Sequence, residues 1–184
     1  ALTHYDYDHA GGVAQLLHTV PTETVLLPPG GEDEALHTEI VEAAEEAGTE
    51  IVYLEEDLSL LFGTGTLQVF EPVGASSDNE ASVSFLFSFG DYDALITGDM
   101  GTASETRLVR RHDLQDVELL VAGHHGSANS TGEELLQALQ PETVLISVGE
   151  NHYGHPKEET LERILEVGAK IYRTDQCGTI TIQG

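Results

Sequence analysis

Apolar and polar positions alternate with two different periods along the chain, and the switches between them divide it into thirds. In the first third, 13–18 is predicted to be a short helix and Thr24–Leu27 a strand, followed by a turn at Pro28-Pro29-Gly30-Gly31. A longer helix over 32–47 places Leu36, Ile40, Val41 and Ala44 on one face, with Gly48 as its C-cap and a strand at 51–54 beyond it. The middle third has strand periodicity at Leu58–Phe62, 66–70, 82–89 and 92–97. Val83, Phe85, Phe87 and Phe89 occupy alternate positions, as a half-buried strand requires, and Gly90-Asp91 suits a tight hairpin.

Helix and strand then alternate again. The pattern predicts a helix over 102–111, a strand at Leu119–Val121, and a helix ending at Leu139 that opens with a Thr131/Glu134 capping box. A strand at 143–147 follows. Pro156 is placed as the first residue of the next helix, which carries Leu161, Ile164 and Leu165 on one face and a Glu159–Arg163 pair. Strands at 171–173 and 179–182 close the chain. With no repeat and no low-complexity tract, the simplest architecture is one α/β unit covering residues 1–184.

Composition narrows the function. Of 184 residues, 33 are acidic and 7 basic, giving a net charge of −26, which argues against holding nucleic acid on an extended basic surface. Much of the acid falls on helix faces (Glu39, Glu42, Glu45, Glu46, Glu158, Glu159, Glu162, Glu166), where it reads as a solvated surface. Few lysines beside many glutamates also fit a high-salt organism. The single cysteine, Cys177, cannot form an internal disulfide, and no run approaches the roughly 18 apolar residues of a membrane span. Nine histidines stand out against two lysines.

Those histidines cluster with aspartates. Within His4-Tyr5-Asp6-Tyr7-Asp8-His9 an extended backbone projects His4, Asp6 and Asp8 to one side, and His9 turns elsewhere as a helix begins. Two directions of ligand-type side chains suit a two-metal site. The apolar run Leu95-Ile96-Thr97 ends in Gly98-Asp99, which alone also fits a plain turn. Gly123-His124-His125-Gly126-Ser127 follows another apolar run, and 149–156 follows a third, where a structural loop with His155 capping the next helix is the alternative. Strand C-termini in an α/β sheet share one edge, so these clusters can converge on a binuclear metal centre.

With these residues the sequence resembles the metallo-β-lactamase superfamily, and more narrowly the C-terminal metallo-β-lactamase-like domain of the ComEC family of DNA-internalisation competence proteins. The likeness rests on His4-Tyr5-Asp6-Tyr7-Asp8-His9, Asn79-Glu80-Ala81-Ser82, His124-His125-Gly126-Ser127, Tyr153-Gly154-His155-Pro156 and Thr174-Asp175-Gln176-Cys177-Gly178, in that order. It implies an αββα sandwich. Members carry several strands before the metal loop, so the chain is expected to be about the last two-thirds of the domain, with the N-terminal strands missing from it.

The resemblance also implies roles. His4 and Asp6 would bind one metal and Asp8 and His9 the other, with Asp99 bridging and His124 completing the second site; Asp8 and Asp99 are the expected catalytic residues. Asn79 stands where a third histidine is usual. One or two ions, Zn²⁺ or Mn²⁺, are expected, since the carboxylate of Asp6 in place of imidazole hardens the site. Asn79, His125, Ser127, Asn129, Ser130, Asn151 and His155 are expected substrate contacts. The implied function is a nuclease acting on DNA during uptake, in a soluble, extracytoplasmic domain partnered by the membrane-channel segments of its parent protein. Hydrolysis of a small phosphodiester, lactone or thioester, or a non-catalytic metal-binding module of a DNA transporter, are the alternatives.

Overall fold

The computed structural model describes residues 1–73 and 79–182. Its larger sheet has seven strands in chain order: β3 Leu58–Phe62, β4 Gly65–Phe70, β5 Ser84–Phe89, β6 Tyr92–Ile96, β7 Leu119–Val121, β8 Thr143–Ile146 and β9 Lys170–Arg173. Strands β3 to β6 are antiparallel and β6 to β9 parallel. The sequence explains the change. Pairing of Phe62 with Gly65 and of Phe89 with Tyr92 leaves two-residue turns, in which Gly63 and Gly90 take positive φ. From β6 onward the strands are joined by crossover helices: α4 Thr102–His112, α5 Glu133–Leu139 and α6 Glu158–Glu166. A smaller sheet pairs β1 Thr24–Leu27 with β2 Glu50–Tyr53 in parallel.

The layers follow from which faces are apolar. Leu95, Leu108, Leu120, Leu136, Val144 and Ile164 form the core between the larger sheet and α4 to α6. Each fully buried leucine there contributes about 1.5–3 kcal/mol. Val25 and Leu27 face α2 Val13–Thr19 and α3 Ala35–Ala47 through Leu17, Ile40, Ala43 and Ala44. Leu26, pointing the other way in β1, meets Val69, Val83 and Phe85 of the larger sheet, with Leu54 beside it. The order is helix, sheet, sheet, helix, which is the expected αββα sandwich. Before β1, the N-H of Leu2 donates to the carbonyl of Leu26 and the carbonyl of Thr3 accepts from the N-H of Val83, so the first residues run between the two sheets.

Several local expectations change. Helix α3 starts at Ala35, not at 32, because residues 31–34 close a turn through Glu34 N-H to Gly31 O; Gly48 does cap it, at φ 71°. Thr131 is no N-cap: it sits at φ 53°, its Oγ1 accepts from Gly123 N-H, and Glu134 instead accepts from Arg110 and Thr106. Pro156 precedes α6 rather than opening it, since Lys157 N-H is tied to Gly126 O. Arg163 donates to the carbonyls of Ala128 and Ser130, not to Glu159, and Leu165 faces solvent. Residues 179–182 form no strand. Thr174, bonded to both backbone groups of Val148, starts the short helix α7 Thr174–Cys177 and turns the chain away from β9. Ile180 and Ile182 then line, with Tyr92, Leu145 and Tyr172, a cavity of about 500 Å³.

Candidate metal centre

Three loops leave the C-terminal ends of the adjacent parallel strands β6, β7 and β8, so they lie on one edge. After β6, Gly98 at φ 61° turns Asp99 inward. A Cβ on Gly98 would stand 3.0 Å from the Cβ atoms of both Ser82 and Thr3, so no side chain fits there. The N-H of Asp99 donates to Ser82 Oγ at 3.2 Å, and its carboxylate is buried. After β7, His124 and His125 both adopt left-handed backbone, at φ 46° and 54°. Such strain costs energy and persists where the surroundings hold it. His125 Nδ1 donates to the carbonyl of Ser147 at 2.7 Å, which fixes the tautomer and leaves the Nε2 lone pair available.

The donors come together around Asp99 and His9. Asp99 Oδ1 lies 3.2 Å from His9 Nε2, while its Oδ2 lies 3.7 Å from His124 Nε2, 3.8 Å from His125 Nε2 and 3.9 Å from His4 Nε2. Asp6 Oδ2 is 3.7 Å from His4 Nε2. Asp8 Oδ2 is 3.0 Å from His125 Nε2 and 4.0 Å from His9 Nε2. Two groups therefore offer three donor atoms within 4.8 Å of one another: His4, His9 and Asp99, and Asp8, His9 and His125. His9 belongs to both.

These residues fit a divalent ion. The Nε2 atoms of His4, His9 and His125 are buried and face carboxylate oxygens at 3.0–3.9 Å, so that imidazole nitrogens and carboxylates converge as ligands of a cation do. The mixed imidazole and carboxylate set suits zinc and manganese alike. Without an ion the charges already interact. Burial, reinforced by the neighbouring His9 charge, pushes His4 below the ordinary histidine range despite three carboxylates nearby. For His9, burial acts downward but contact with Asp99, aided by Asp8 and Asp6, outweighs it and raises the value. Asp99 is held below the usual carboxylate range: burial opposes this, and His9, His124 and His125 overcome it. Burial, with His124 and Lys157 nearby, also lowers His155.

The opening segment departs from expectation in one respect. It is extended only as far as Asp6, because Tyr7–Ala10 forms a helical turn, α1, closed by Ala10 N-H to Asp6 O. Asp8 thus leaves the side shared by His4 and Asp6 and faces His125. His125, expected at the substrate, lies among the donors beside His124. Asn79 sits in a 3₁₀ turn, Asn79–Ala81, whose carbonyl accepts from Ser82 N-H. Ser130 is fully buried and Ser127 nearly so; their carbonyls anchor Arg163 and Thr160, so they brace the loop beneath the centre rather than open onto it. Asn129 accepts Thr102 N-H through its carbonyl.

Three residues went unread in the sequence. Thr3 Oγ1 is 3.0 Å from His4 Nδ1 and 3.4 Å from His9 Nδ1, and Ser82 Oγ is 3.5 Å from His4 Nδ1. Glu105, on α4, accepts the N-H groups of Thr131 at 2.6 Å and Gly132 at 2.8 Å. Ser82 lies within the motif Asn79-Glu80-Ala81-Ser82, which was a signal; Thr3 and Glu105 carry none. Asp8 and His125 also line a cavity of about 450 Å³, whose other walls are Asn151, Tyr153, His155 and the end of β8.

A buried histidine and aspartate centre at the sheet edge of an αββα sandwich defines a class, and the comparison with known families agrees: the chain belongs to the metallo-beta-lactamase superfamily, whose profile matches residues 1–150. Within it, the chain is similar to ComE operon protein 3 of Bacillus subtilis, 32% identical over 182 residues that span 97% of this chain and 24% of that protein. It is also similar to Recombination protein 2 of Haemophilus influenzae, 26% identical over 184 residues, 98% of this chain and 21% of that protein. The chain spans less than a quarter of the length of these relatives. Among solved structures, Tm1679, a metal-dependent hydrolase of the beta-lactamase superfamily, superposes with a TM-score of 0.60 at 15% identity, over 100% of this chain and 78% of that one. Among the described residues no helix is long and apolar enough to cross a membrane.

Proposed function

We propose that the chain is a metal-dependent phosphodiesterase that cleaves DNA during competence-related uptake, as a domain of a larger membrane-associated protein. The observation that carries the reading is the pair of donor groups sharing His9, open on one side to the cavity beyond Asp8. Recombination protein 2 and a further relative, Competence protein ComA of Neisseria gonorrhoeae, 37% identical over 106 residues, supply the nucleic-acid context by their names.

An ion would be held by His4, His9 and Asp99 or by Asp8, His9 and His125, since the one Nε2 lone pair of His9 serves one ion at a time, with Asp6 and His124 at the margins of these groups. Zn²⁺ and Mn²⁺ both match the donors. A divalent ion held there supplies Lewis-acid polarisation of a phosphoryl oxygen and a nucleophile drawn from water at neutral pH. The protein's own part is positional. Buried Asp99 keeps fixed negative charge between the imidazoles. Asp8, with its side chain 61% exposed, lines the cavity and so joins the donor group to the space a substrate would enter. Ser147 O holds His125, and Ser82 Oγ holds the Asp99 backbone.

Single-stranded DNA incubated with Mn²⁺ or Zn²⁺ tests the proposal. Cleavage is expected from the unaltered chain and not from Asp8→Ala or Asp99→Ala, and cleavage that survives both substitutions overturns it. A small-phosphodiester substrate is the second reading, favoured by the acidic wall that Glu150 adds to the cavity. Turnover of bis(p-nitrophenyl) phosphate without cleavage of any oligonucleotide would select it.

A further inference from the structure

The loop after β8 displays an aromatic pair that the metal donors do not use. Tyr153 is 78% exposed, and its ring stacks on His155 with centroids 5.8 Å apart and planes 15° from parallel. The His155 ring in turn lies 5.7 Å from that of His124. A large ring left in solvent is common on a mobile surface, but this loop is clamped. Asn151 Oδ1 accepts from His155 N-H at 3.0 Å, and Asn151 Nδ2 donates to the carbonyls of Gly149 at 2.9 Å and His155 at 3.0 Å. From below, Lys157 Nζ donates to the carbonyl of Tyr153 at 2.6 Å. The exposed face of Tyr153 is therefore preorganised at the mouth of the cavity that Asp8 and His125 open onto.

Charge shows what such a face is for. Arg110 is paired with Glu134, Arg111 with Glu71 and Arg173 with Asp175, and Arg163 is spent on carbonyls of its own loop. Lys157 stands against the Tyr153 carbonyl, next to the cavity's lining. Among the described residues no basic groove tracks phosphates, so away from the metal centre a polynucleotide is to be gripped through something uncharged. Base stacking is uncharged, tolerates any sequence, and needs a base free of its own duplex partners.

We propose that Tyr153, backed by His155, is a stacking platform for an unpaired nucleobase of a single-stranded polynucleotide whose phosphodiester lies at the metal centre. This rests on the phosphodiesterase reading above and adds that the substrate is single-stranded and held by its bases. Tyr153 is here a specificity residue; Asn151 and Lys157 position it.

The test reads binding apart from turnover. A single-stranded pentanucleotide containing 2-aminopurine, in deoxy and ribo forms, is titrated with the chain in EDTA. Stacking quenches the probe, so quenching is expected with the unaltered chain, lost with Tyr153→Ala and restored with Tyr153→Phe. The dissociation constant should rise about 5- to 150-fold in Tyr153→Ala, the range of one stacked base. With about one phosphate neutralised, the slope of log affinity against log salt should be no steeper than about −1. Quenching by either sugar form supports the platform; the same probe in a duplex should show no dependence on Tyr153. Quenching and affinity unchanged in Tyr153→Ala, or a salt slope steeper than about −3, overturn it. Failure of the unaltered chain to cleave any phosphodiester, with Tyr153-dependent quenching intact, would sink the catalytic reading and leave the platform standing.

Discussion

The buried carboxylate of Glu105 holds the backbone of Thr131, and through it the loop that presents His124 and His125. Glu105 is 1% exposed and accepts the N-H groups of Thr131 and Gly132, while Thr131 Oγ1 accepts from Gly123 N-H at 3.0 Å. Glu105→Gln puts an amide NH₂ opposite one of these donors. The expected loss is about 1–3 kcal/mol of stability, the cost of a buried unpaired group, read as the urea midpoint. Affinity for Mn²⁺ or Zn²⁺ should fall about 10- to 100-fold, as for other groups that act behind a ligand. Equal ion affinity in both proteins would show that the histidine loop keeps its geometry without Glu105.

Ion binding should stabilise the fold, because the donors assemble only in the folded chain. At a hundredfold excess over Kd the gain is about 2.7 kcal/mol, or a Tm rise of roughly 5–10 °C for a chain of this size. His9→Ala removes the donor common to both groups and should abolish most of the rise. A full rise in His9→Ala, measured by scanning calorimetry, would place the ion elsewhere.

Gly126 carries a tight contact as well as a left-handed backbone. At φ 80°, an added Cβ would stand 2.6 Å from Pro156 Cβ. Gly126→Ala is therefore expected to cost about 1–3 kcal/mol from strain and overpacking, and to disturb the 149–156 loop with it. Circular dichroism melting curves that coincide would contradict this.

Stability should fall on mild acidification through His112. Its ring lies 4.3 Å from that of Phe70, and burial lowers its proton affinity although Asp57 Oδ2 stands 3.7 Å from Nδ1. A histidine whose folded value lies below its unfolded value of about 6.5 binds its proton better when unfolded. Its stabilisation is present above pH of about 6.5 and is lost as the pH drops through the folded value. Between pH 7.5 and 5, the urea midpoint of the unaltered chain should fall more than that of His112→Gln; parallel decreases would remove His112 as the cause.

How far the sequence revealed this molecule depended on the range of the interaction. Strands such as Thr24–Leu27 and Leu58–Phe62 were legible to the residue, because alternation is a local property. Helix starts were legible at Val13 and Thr102 but not where a distant partner intervened: what displaced Pro156 from α6 was a hydrogen bond between Lys157 and Gly126, and what unseated Thr131 as a cap was Gly123. At the centre, spacing alone picked out His4, Asp6, Asp8, His9, Asp99 and the His124-His125 pair as candidate donors. It gave no hint of Glu105 or Thr3, ordinary residues whose partners lie on other strands or loops, nor that the helical turn at Tyr7 would send Asp8 toward His125.

The donors do not all hang from one sheet. His4 and His9 follow the extended segment that Leu26 and Val83 pin between the layers, whereas Asp99, His124 and His125 belong to the larger sheet's parallel half. An ion seated there would work as a rivet through both layers. Loading and unloading it would tighten or slacken the seam between the sheets, so hydrogen exchange at the Val83 amide should report occupancy as directly as any signal from the ligands themselves.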